Sequence, residues 1–274
     1  MNIGIRLHDT IPGTLPERLA FIKKQGFSCA HVALSKVLGD FTMPDAPARL
    51  TPSFASEIRE AFQSVGIEIA VLGCYLNLAD PDAESRQRTQ EIYRAHLRFA
   101  PMIGAGVVGT ETPANPNSRF VTPFPEDEGA FRFFIDAVKP VVRAAEEAGA
   151  ILAIEPVKTH IISTPERAER MLSELNSDAV QIILDAVNLL IPENAPQAQA
   201  IIQDAISRLG DRVRILHMKD YRLEEGKIHS IACGTGVMEY EKLLAFARKQ
   251  GIPMTLEDTT PSNAEAARLY LESL

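Results

Sequence analysis

Two apolar patterns alternate along the chain. Segments with apolar residues at helical spacing, three or four positions apart, each end at a glycine, and a short aliphatic run follows directly. This glycine recurs at positions 26, 66, 149 and 251. Glycine readily takes the left-handed conformation that closes a helix, so the pattern predicts helices joined to strands by tight loops.

The two patterns predict eight strands and eight helices. The strands are expected at residues 3–7, 27–34, 67–72, 106–110, 150–154, 180–184, 213–216 and 252–256. The helices are expected near residues 16–25, 52–65, 82–103, 126–148, 165–175, 196–209, 240–249 and 262–271. Pro140 argues for a kink or a break in the fourth helix, and the polar, glycine-containing residues 222–235 are expected to form an extended loop.

Alternation of helices with near-continuous apolar strands predicts a parallel sheet. Eight such units favour a closed (β/α)8 TIM barrel, formed by a single domain over residues 1–274. The competing open, doubly wound fold usually carries a glycine-rich phosphate loop after its first strand. Here the first strand is followed by His8-Asp9-Thr10, so the barrel is favoured.

Composition narrows the functional classes. The formal net charge is −8 and the pI is about 5.4, so general binding of nucleic acid is not expected. Three cysteines without a CxxC spacing indicate free thiols rather than a disulfide framework or a zinc ribbon. No apolar run approaches the roughly 18 residues that span a membrane, and the first residues read as a strand rather than a signal peptide. We therefore expect a cytoplasmic protein that does not bind membranes.

The fifth to eighth predicted strands each end in a side chain that can bind a metal ion. These residues are Glu155, Asp185, His217 and Glu257. In a barrel the carboxyl ends of the strands converge on one face, which holds the active site. Three carboxylates and one imidazole would repel each other there without a cation, so we predict a shared divalent metal site. Oxygen-rich donors favour Mn²⁺, Mg²⁺ or Co²⁺, and Zn²⁺ is compatible with them.

Each of these residues also has an ordinary interpretation. An acid after a strand, such as Asp185, often caps a helix or joins an ion pair, and His217 alone would be a buried core imidazole. Matching positions on four consecutive strands favour the metal site over these separate explanations.

Four short motifs resemble those of a known family: Ala153-Ile-Glu155-Pro, Leu184-Asp185-Ala-Val-Asn188-Leu, Leu216-His217-Met-Lys219-Asp220 and Leu256-Glu257-Asp. Through them the chain resembles the xylose-isomerase-like TIM-barrel superfamily, in particular its sugar (phosphate) isomerase/epimerase branch, which includes the ketose 3-epimerases. The resemblance implies a Mn²⁺-type site with Glu155, Asp185, His217 and Glu257 as ligands, in which the two glutamates also act as an acid/base pair. Related barrels are often dimers or tetramers, which implies a homo-oligomer.

One position departs from the ketose 3-epimerase pattern. Those enzymes typically carry a histidine near the substrate oxygens, three residues after the aspartate of strand six, and this chain has Asn188. Asparagine still donates and accepts hydrogen bonds, but it cannot carry a proton charge. The departure favours a sugar-acid isomerase, or a dehydratase of a cyclitol or keto acid, over direct 3-epimerase activity.

Further polar residues near the predicted strand ends are candidates for substrate binding. Besides Asn188 they are Lys219 and Asp220 after strand seven, Lys158 and His160 after strand five, His8 after strand one and Tyr75 after strand three. Lys158 and His160 could hold a carboxylate or phosphate group, and a surface loop is an equally good interpretation. Glu111 is either a pocket acid or a partner in an ion pair, and His31 has no assigned role.

The predicted reaction is the isomerisation or epimerisation of a small carbohydrate or polyol through an enediolate, with Glu155 and Glu257 moving the proton. A dehydratase on the same metal site is one alternative. An AP-endonuclease-like phosphodiesterase would need more metal ions, more histidines and a basic surface, which the acidic composition disfavours. A non-catalytic sugar-binding barrel is a further alternative, although it would not need paired glutamates.

Overall fold

Eight parallel strands close into a barrel in the computed structural model, which describes residues 1–114 and 127–274. In the described chain the barrel strands are β1 (Ile3–Arg6), β2 (Cys29–Val32), β3 (Glu68–Gly73), β4 (Val107–Glu111), β5 (Leu152–Glu155), β6 (Val180–Asp185), β7 (Val213–Met218) and, after a two-stranded hairpin, β10 (Met254–Leu256). Each of β1 to β6 pairs with the strand that follows it in the chain, and β10 pairs with both β7 and β1 to close the barrel. The predicted (β/α)8 TIM barrel is confirmed.

Helices form the outer layer; eight of the ten described ones follow the predicted segments closely, whereas the short helices at residues 34–37 and 46–49 were not predicted. Over the described residues they are α1 (Leu15–Lys24), α2 (Leu34–Val37), α3 (Ala46–Arg49), α4 (Pro52–Val65), α5 (Ala83–Ile103), α6 (Glu128–Ala148), α7 (Pro165–Leu175), α8 (Ala198–Leu209), α9 (Glu241–Gln250) and α10 (Ala264–Ser273). Pro140 lies inside α6 without breaking it, so the predicted break is wrong. The predicted first residue of this helix, Glu126, lies outside the described residues.

Several helices end as the glycine pattern predicts. Gly66, Gly149 and Gly251 close α4, α6 and α9 with φ of 64°, 60° and 67°. In these three cases a strand-forming segment begins within a few residues, which keeps the helix-to-strand loops short. Among the described residues, no helix is both long enough and apolar enough to cross a membrane.

Residues 222–235 are not the extended loop predicted from their polarity. Most of them belong to an antiparallel hairpin of β8 (Asp220–Glu224) and β9 (Lys227–Ile231), which follows β7. Its turn residues Glu225 and Gly226 both have positive φ, 51° and 71°, as a tight two-residue hairpin turn requires. These strands were not predicted because the outer part of the hairpin is exposed and its side chains are mostly polar, so the sequence lacks the apolar positions that indicate a buried strand.

The barrel interior is filled by small and branched apolar side chains: Cys29, Ala70, Val71, Val107, Ala153, Ile183 and Ile215. A larger apolar core lies between the barrel and the helices. Side chains two positions apart on a strand point to the same face. The residues that follow Ala153, Ile183 and Ile215 by two positions therefore form the next layer, at the carboxyl end of the barrel.

Candidate metal and catalytic site

The next layer of the barrel consists of the predicted metal ligands. Glu155 and Asp185 end β5 and β6, His217 lies in β7, and Glu257 directly follows β10. All four are nearly inaccessible to solvent, with at most 4 % of their surface exposed. Three carboxylates and an imidazole are thus buried together at the mouth of the barrel, where charge without a partner is costly.

The His217 imidazole lies between the two glutamates. Its Nδ1 atom is 3.0 Å from Oε2 of Glu155 and 3.2 Å from Oε1 of Glu257. Neither contact has hydrogen-bond geometry, and within the described residues both ring nitrogens are buried without a hydrogen-bond partner. Burial lowers the pKa of His217, but the carboxylates of Glu257 and Glu155 outweigh this effect and raise it to about 9. Without a metal ion the imidazole is therefore protonated at neutral pH.

Asp185 is oriented by its own loop. Its Oδ1 accepts hydrogen bonds from the backbone N–H groups of Val187 (2.8 Å) and Asn188 (3.0 Å). Its Oδ2 lies 3.1 Å from Nζ of Lys219. Burial and the nearby charges of Glu155 and Glu257 raise the pKa of Asp185 to about 6, although Lys219 acts in the opposite direction. The carboxylates therefore repel each other even with the lysine present.

Glu257 is surrounded by cations. Its Oε2 lies 3.2 Å from both Nη1 of Arg6 and Nζ of Lys219. Burial alone would raise the pKa of Glu257, but His217, Lys219 and Arg6 hold it well below its usual range. The Arg6 guanidinium also binds Oδ2 of Asp9 at 2.7 Å and Oδ1 of Asp258 at 3.0 Å. Glu257 is thus held in one orientation and kept ionised.

Glu155 has a different environment. Its Oε1 accepts a hydrogen bond from Nδ2 of Asn188 at 2.5 Å. Glu111 ends β4 directly beside it in the strand register. Burial and the charge of Glu155 raise the pKa of Glu111 to about 7, and its Oε2 lies 3.6 Å from Nδ1 of His160. Glu111 and His160 therefore form a second, weaker polar pair at the rim of the site.

One wall of the site is aromatic. Tyr75 is 37 % exposed, and its hydroxyl lies 3.4 Å from Nε2 of the buried His31. The missing side chain at Gly73 makes this possible, because a Cβ there would lie 2.8 Å from Nε2 of His31 and 2.9 Å from the Tyr75 ring. His8 meets His31 edge to face with 6.4 Å between ring centroids. Burial and Arg6 lower the pKa of His8 to about 4, so this imidazole is neutral at pH 7.

Two of the predicted substrate-binding residues have other surroundings. The Lys158 side chain lines a separate cavity with Ser163, Thr164 and Asn194. The carboxylate of Asp220 accepts four backbone hydrogen bonds, which hold the chain that leaves the hairpin. The substrate-binding roles of Lys158 and Asp220 stay predictions without a site contact to support them.

Arg6 and His31 are the residues of the site that sequence reasoning missed. They are paired with each other across β1 and β2, on the half of the barrel without predicted ligands. The signal was a single polar residue within each otherwise apolar strand, Ile3-Gly-Ile-Arg6 and Cys29-Ala-His31-Val. A single polar residue has no partner in sequence, and only the closed barrel brings β1, with β2 on its other side, next to β10.

The donor set suits a divalent ion. Ligand atoms of Glu155, Asp185 and His217 all lie within 4.8 Å of one another, and so do those of His31, His217 and Glu257. Within the described residues, Oδ2 of Asp185 and Nδ1 of His217 have ion-pair contacts but no hydrogen bond, and Nε2 of His217 is buried without a hydrogen-bond partner. Such atoms are stable when they bind a cation. The four predicted ligands thus fall into two overlapping groups that share His217.

The comparison with known proteins agrees with this architecture. The family model "Xylose isomerase-like TIM barrel" matches residues 19–274. No curated protein sequence matches the chain.

Solved structures of similar fold include three that match over at least 96 % of their length. The 3-keto-D-glucoside 4-epimerase YcjR from E. coli superimposes with a TM-score of 0.77 at 18 % identity, covering 100 % of both chains. The IolI protein with a bound zinc atom gives 0.74 at 16 % identity, covering 100 % of this chain and 96 % of IolI. D-Psicose 3-epimerase from Clostridium cellulolyticum H10, with D-tagatose, gives 0.73 at 15 % identity, covering 100 % and 99 %.

Proposed function

Because the chain belongs to the xylose isomerase-like TIM barrel family, we propose that it is a divalent-metal-dependent isomerase or epimerase of a small sugar, sugar acid or polyol. The observation that carries the proposal is the buried His217 imidazole between two glutamates, without a hydrogen bond at either nitrogen among the described residues. Structural relatives that include two sugar epimerases and a zinc-bound protein support it.

Glu155, Asp185, His217 and Glu257 would hold the ion. A bound divalent cation would supply Lewis-acid stabilisation of negative charge on the substrate oxygens. We keep Mn²⁺ as the preferred ion, because three of the four donors are carboxylates. Zn²⁺, Mg²⁺ and Co²⁺ are the alternatives, and the zinc bound to IolI favours testing Zn²⁺ as well.

Glu155 and Glu257 are the proposed acid/base pair. Moving a carbonyl along a polyol requires removal of a proton from the neighbouring carbon, which is a weak acid. One carboxylate removes this proton, and the second acid returns a proton at the neighbouring carbon or on the opposite face. The two glutamates contact the same His217 nitrogen at 3.0 and 3.2 Å, so they flank the centre of the site.

Polar side chains around this pair would orient the substrate. Asn188 and Lys219 directly contact the carboxylates of proposed ligands. Tyr75 and His8 contact His31, and His160 contacts Glu111. We infer that hydroxyl groups of the substrate hydrogen-bond to them, because each offers a donor that a polyol can use. A cytoplasmic location, which the sequence leads us to expect, and a homo-oligomeric state, which the resemblance to related barrels implies, are further parts of the proposal.

Proton NMR in D₂O tests the reaction. The metal-loaded protein would be incubated with ketoses, aldoses, hydroxy-keto acids and inososes. We expect deuterium at the carbon next to the carbonyl together with a new isomer. Exchange with loss of water would identify a dehydratase, and exchange with none of the compounds would contradict the proposal and lead to a DNA-nicking assay for phosphodiesterase activity.

Variants of the glutamates assign the proton transfer. Glu257→Gln and Glu155→Gln should each abolish the exchange, while metal binding partly survives. The matched control is Glu60→Gln on α4, an exposed glutamate of the helical layer, which should exchange like the wild type. Exchange at a near-normal rate in Glu257→Gln would remove this residue from the acid/base pair.

A further inference from the structure

His31 is buried beside the proposed metal site but belongs to none of its predicted ligands. It lies in β2 with 1 % of its surface exposed. Its Nδ1 points toward Oε1 of Glu257 at 3.7 Å, without a hydrogen-bond partner in the described part of the chain. A fully buried polar atom of this kind calls for an explanation.

Neighbouring residues fix the orientation of the His31 ring. The Tyr75 hydroxyl lies 3.4 Å from Nε2, on the side of the ring away from Glu257. The His217 ring stacks on it, with 5.1 Å between centroids and 17° between planes. Gly73 leaves the space that Nε2 occupies, since a Cβ there would approach it to 2.8 Å. The ring is therefore held with Nδ1 on the side of the carboxylates.

The contact of Nε2 with the Tyr75 hydroxyl leaves Nδ1 available as an electron-pair donor. A proton on Nε2 can be shared with the Tyr75 oxygen. The lone pair of Nδ1 then faces the negative Oε1 of Glu257, and a cation between the two atoms would relieve this repulsion.

We propose that His31 is an additional ligand of the divalent ion, through Nδ1. The donor atoms of His31, His217 and Glu257 lie within 4.8 Å of one another, and this triad shares His217 with the triad of Glu155 and Asp185. The inference rests on the proposed function, because both use the same ion. Two imidazoles in the donor set would favour Zn²⁺ or Co²⁺ over Mg²⁺, which prefers oxygen ligands alone.

The test is an NMR titration of ¹⁵N-histidine-labelled protein with Zn²⁺, in which a coordinated imidazole nitrogen changes its chemical shift strongly. We expect Nδ1 of His31 and a nitrogen of His217 to shift together at the same zinc concentration. The internal control is His96 on α5, which is equally buried but hydrogen-bonded to the backbone oxygen of Ile92, and its nitrogens should not shift.

The outcomes separate the two proposals. A shift of His217 without a shift of His31 would overturn the additional ligand and leave the proposed function intact. A shift of neither residue would overturn the metal site itself.

A variant provides an independent measurement. His31→Phe keeps an aromatic ring against His217 but removes the donor, so zinc affinity should fall by a factor of about 10 or more. His229→Asn removes an exposed imidazole from the hairpin and should leave the affinity unchanged. Wild-type zinc affinity in a folded His31→Phe protein would overturn the proposal, and if this variant does not fold, the NMR titration of the wild type decides alone.

Discussion

Nη1 of Arg6 lies 3.2 Å from Oε2 of Glu257, across the seam where the first and last barrel strands pair. The same guanidinium binds Asp9 and Asp258, and the backbone N–H of Asp258 donates to Oδ2 of Asp9 at 3.1 Å. Asp258 itself has a φ of 54°, which is uncommon for a residue other than glycine. Arg6 therefore holds both Glu257 and the unusual turn that follows it.

Replacing Arg6 by methionine should destabilise the protein and reduce proton exchange on the substrate. Without Arg6, the buried negative charge of Glu257 has one positive partner fewer, which should lower the free energy of unfolding by about 3 kcal/mol. Urea unfolding measures the free energy of unfolding, and exchange into the substrate in D₂O measures the proton transfer. Arg6→Lys should recover part of both, because it restores the charge without the forked geometry.

The matched control for Arg6→Met is Arg248→Met on the exposed face of α9. It removes the same charge from the surface and should change the free energy of unfolding by less than about 0.5 kcal/mol. Equal stability of the two variants would show that the contact between Arg6 and Glu257 contributes nothing to the fold.

Lys219 should oppose metal binding electrostatically. Its Nζ lies 3.1 Å from Oδ2 of Asp185 and 3.2 Å from Oε2 of Glu257, between two proposed ligands. Lys219→Met removes a positive charge from this position, so affinity for Mn²⁺ or Zn²⁺ should rise by about tenfold or more. Isothermal titration calorimetry of the metal-free protein measures this change.

Lys158→Met is the control for Lys219→Met. This lysine follows Glu155 by three residues, but its side chain lines a separate cavity. Metal affinity should therefore stay near that of the wild type. A fall in affinity in Lys219→Met would instead mean that the ammonium group orients the ligands more than it repels the ion.

Sequence reasoning identified the four proposed ligands because of one rule of barrel geometry. Glu155, Asp185, His217 and Glu257 are far apart in the chain, yet parallel strands bring their carboxyl ends to the same face. The same rule does not say where a loop residue goes after its strand ends. Lys158 illustrates this, because its backbone N–H bonds to the oxygen of Asn188 while the residue lines a separate cavity.

The other half of the site could not be read from the sequence for a different reason. Arg6 and His31 lie within strands, and their meaning depends on the pairing of β1 with both β2 and β10. The contact between Arg6 and Glu257, for example, joins residues about 250 positions apart in the chain. The room for the aromatic wall likewise depends on Gly73, whose small size matters only once His31 and Tyr75 are packed against it.

Asn188 should act through Glu155. Its Nδ2 donates to Oε1 of Glu155 at 2.5 Å, whereas its backbone N–H serves Asp185 and survives any substitution except proline. Hydrogen bonds to charged groups contribute about 1.5–3 kcal/mol, so Asn188→Ala should lower the rate of proton exchange by about 10- to 100-fold.

Asn188→Asp should lower the exchange rate further, because it puts a second negative charge beside Glu155. The measurement for both variants is the initial rate of deuterium incorporation at saturating metal. Wild-type rates in Asn188→Ala would show that the orientation of Glu155 does not limit the reaction.

His96 should make the fold sensitive to mild acid. It is fully buried in α5, and burial lowers its pKa to about 4. The unfolded chain binds a proton near its ordinary pKa of about 6.5. Stability from the neutral ring is therefore present above pH 6.5 and is lost as the pH falls toward 4.

The resulting loss for His96 is about 2 kcal/mol between pH 7 and pH 5. Urea unfolding at both pH values should show a smaller change for His96→Gln than for the wild type, by this amount. Because both proteins share the other histidines, the contributions of those residues to the pH dependence cancel in the comparison. An identical pH dependence would mean that the buried ring accepts a proton without cost.

Variants of Asp220 should distinguish a structural role of this residue from a role in substrate binding. Its Oδ1 accepts from the N–H groups of Tyr221 and Met238, both at 2.8 Å, and its Oδ2 accepts from Gly234 at 3.0 Å and Gly236 at 2.9 Å. Asp220→Ala leaves four donors to find other partners, so the free energy of unfolding should fall by about 3 kcal/mol.

Asp220→Asn should be almost as harmful, because its amide group would direct a donor at two backbone donors. Gly236→Ala should be destabilising for an independent reason, since a Cβ there would lie 2.3 Å from the carbonyl oxygen of Tyr221. All three variants should keep their metal affinity, because none of the lost contacts involves a proposed ligand. A raised KM for the substrate in Asp220→Ala, with unchanged unfolding, would instead support the role in substrate binding that the sequence predicted.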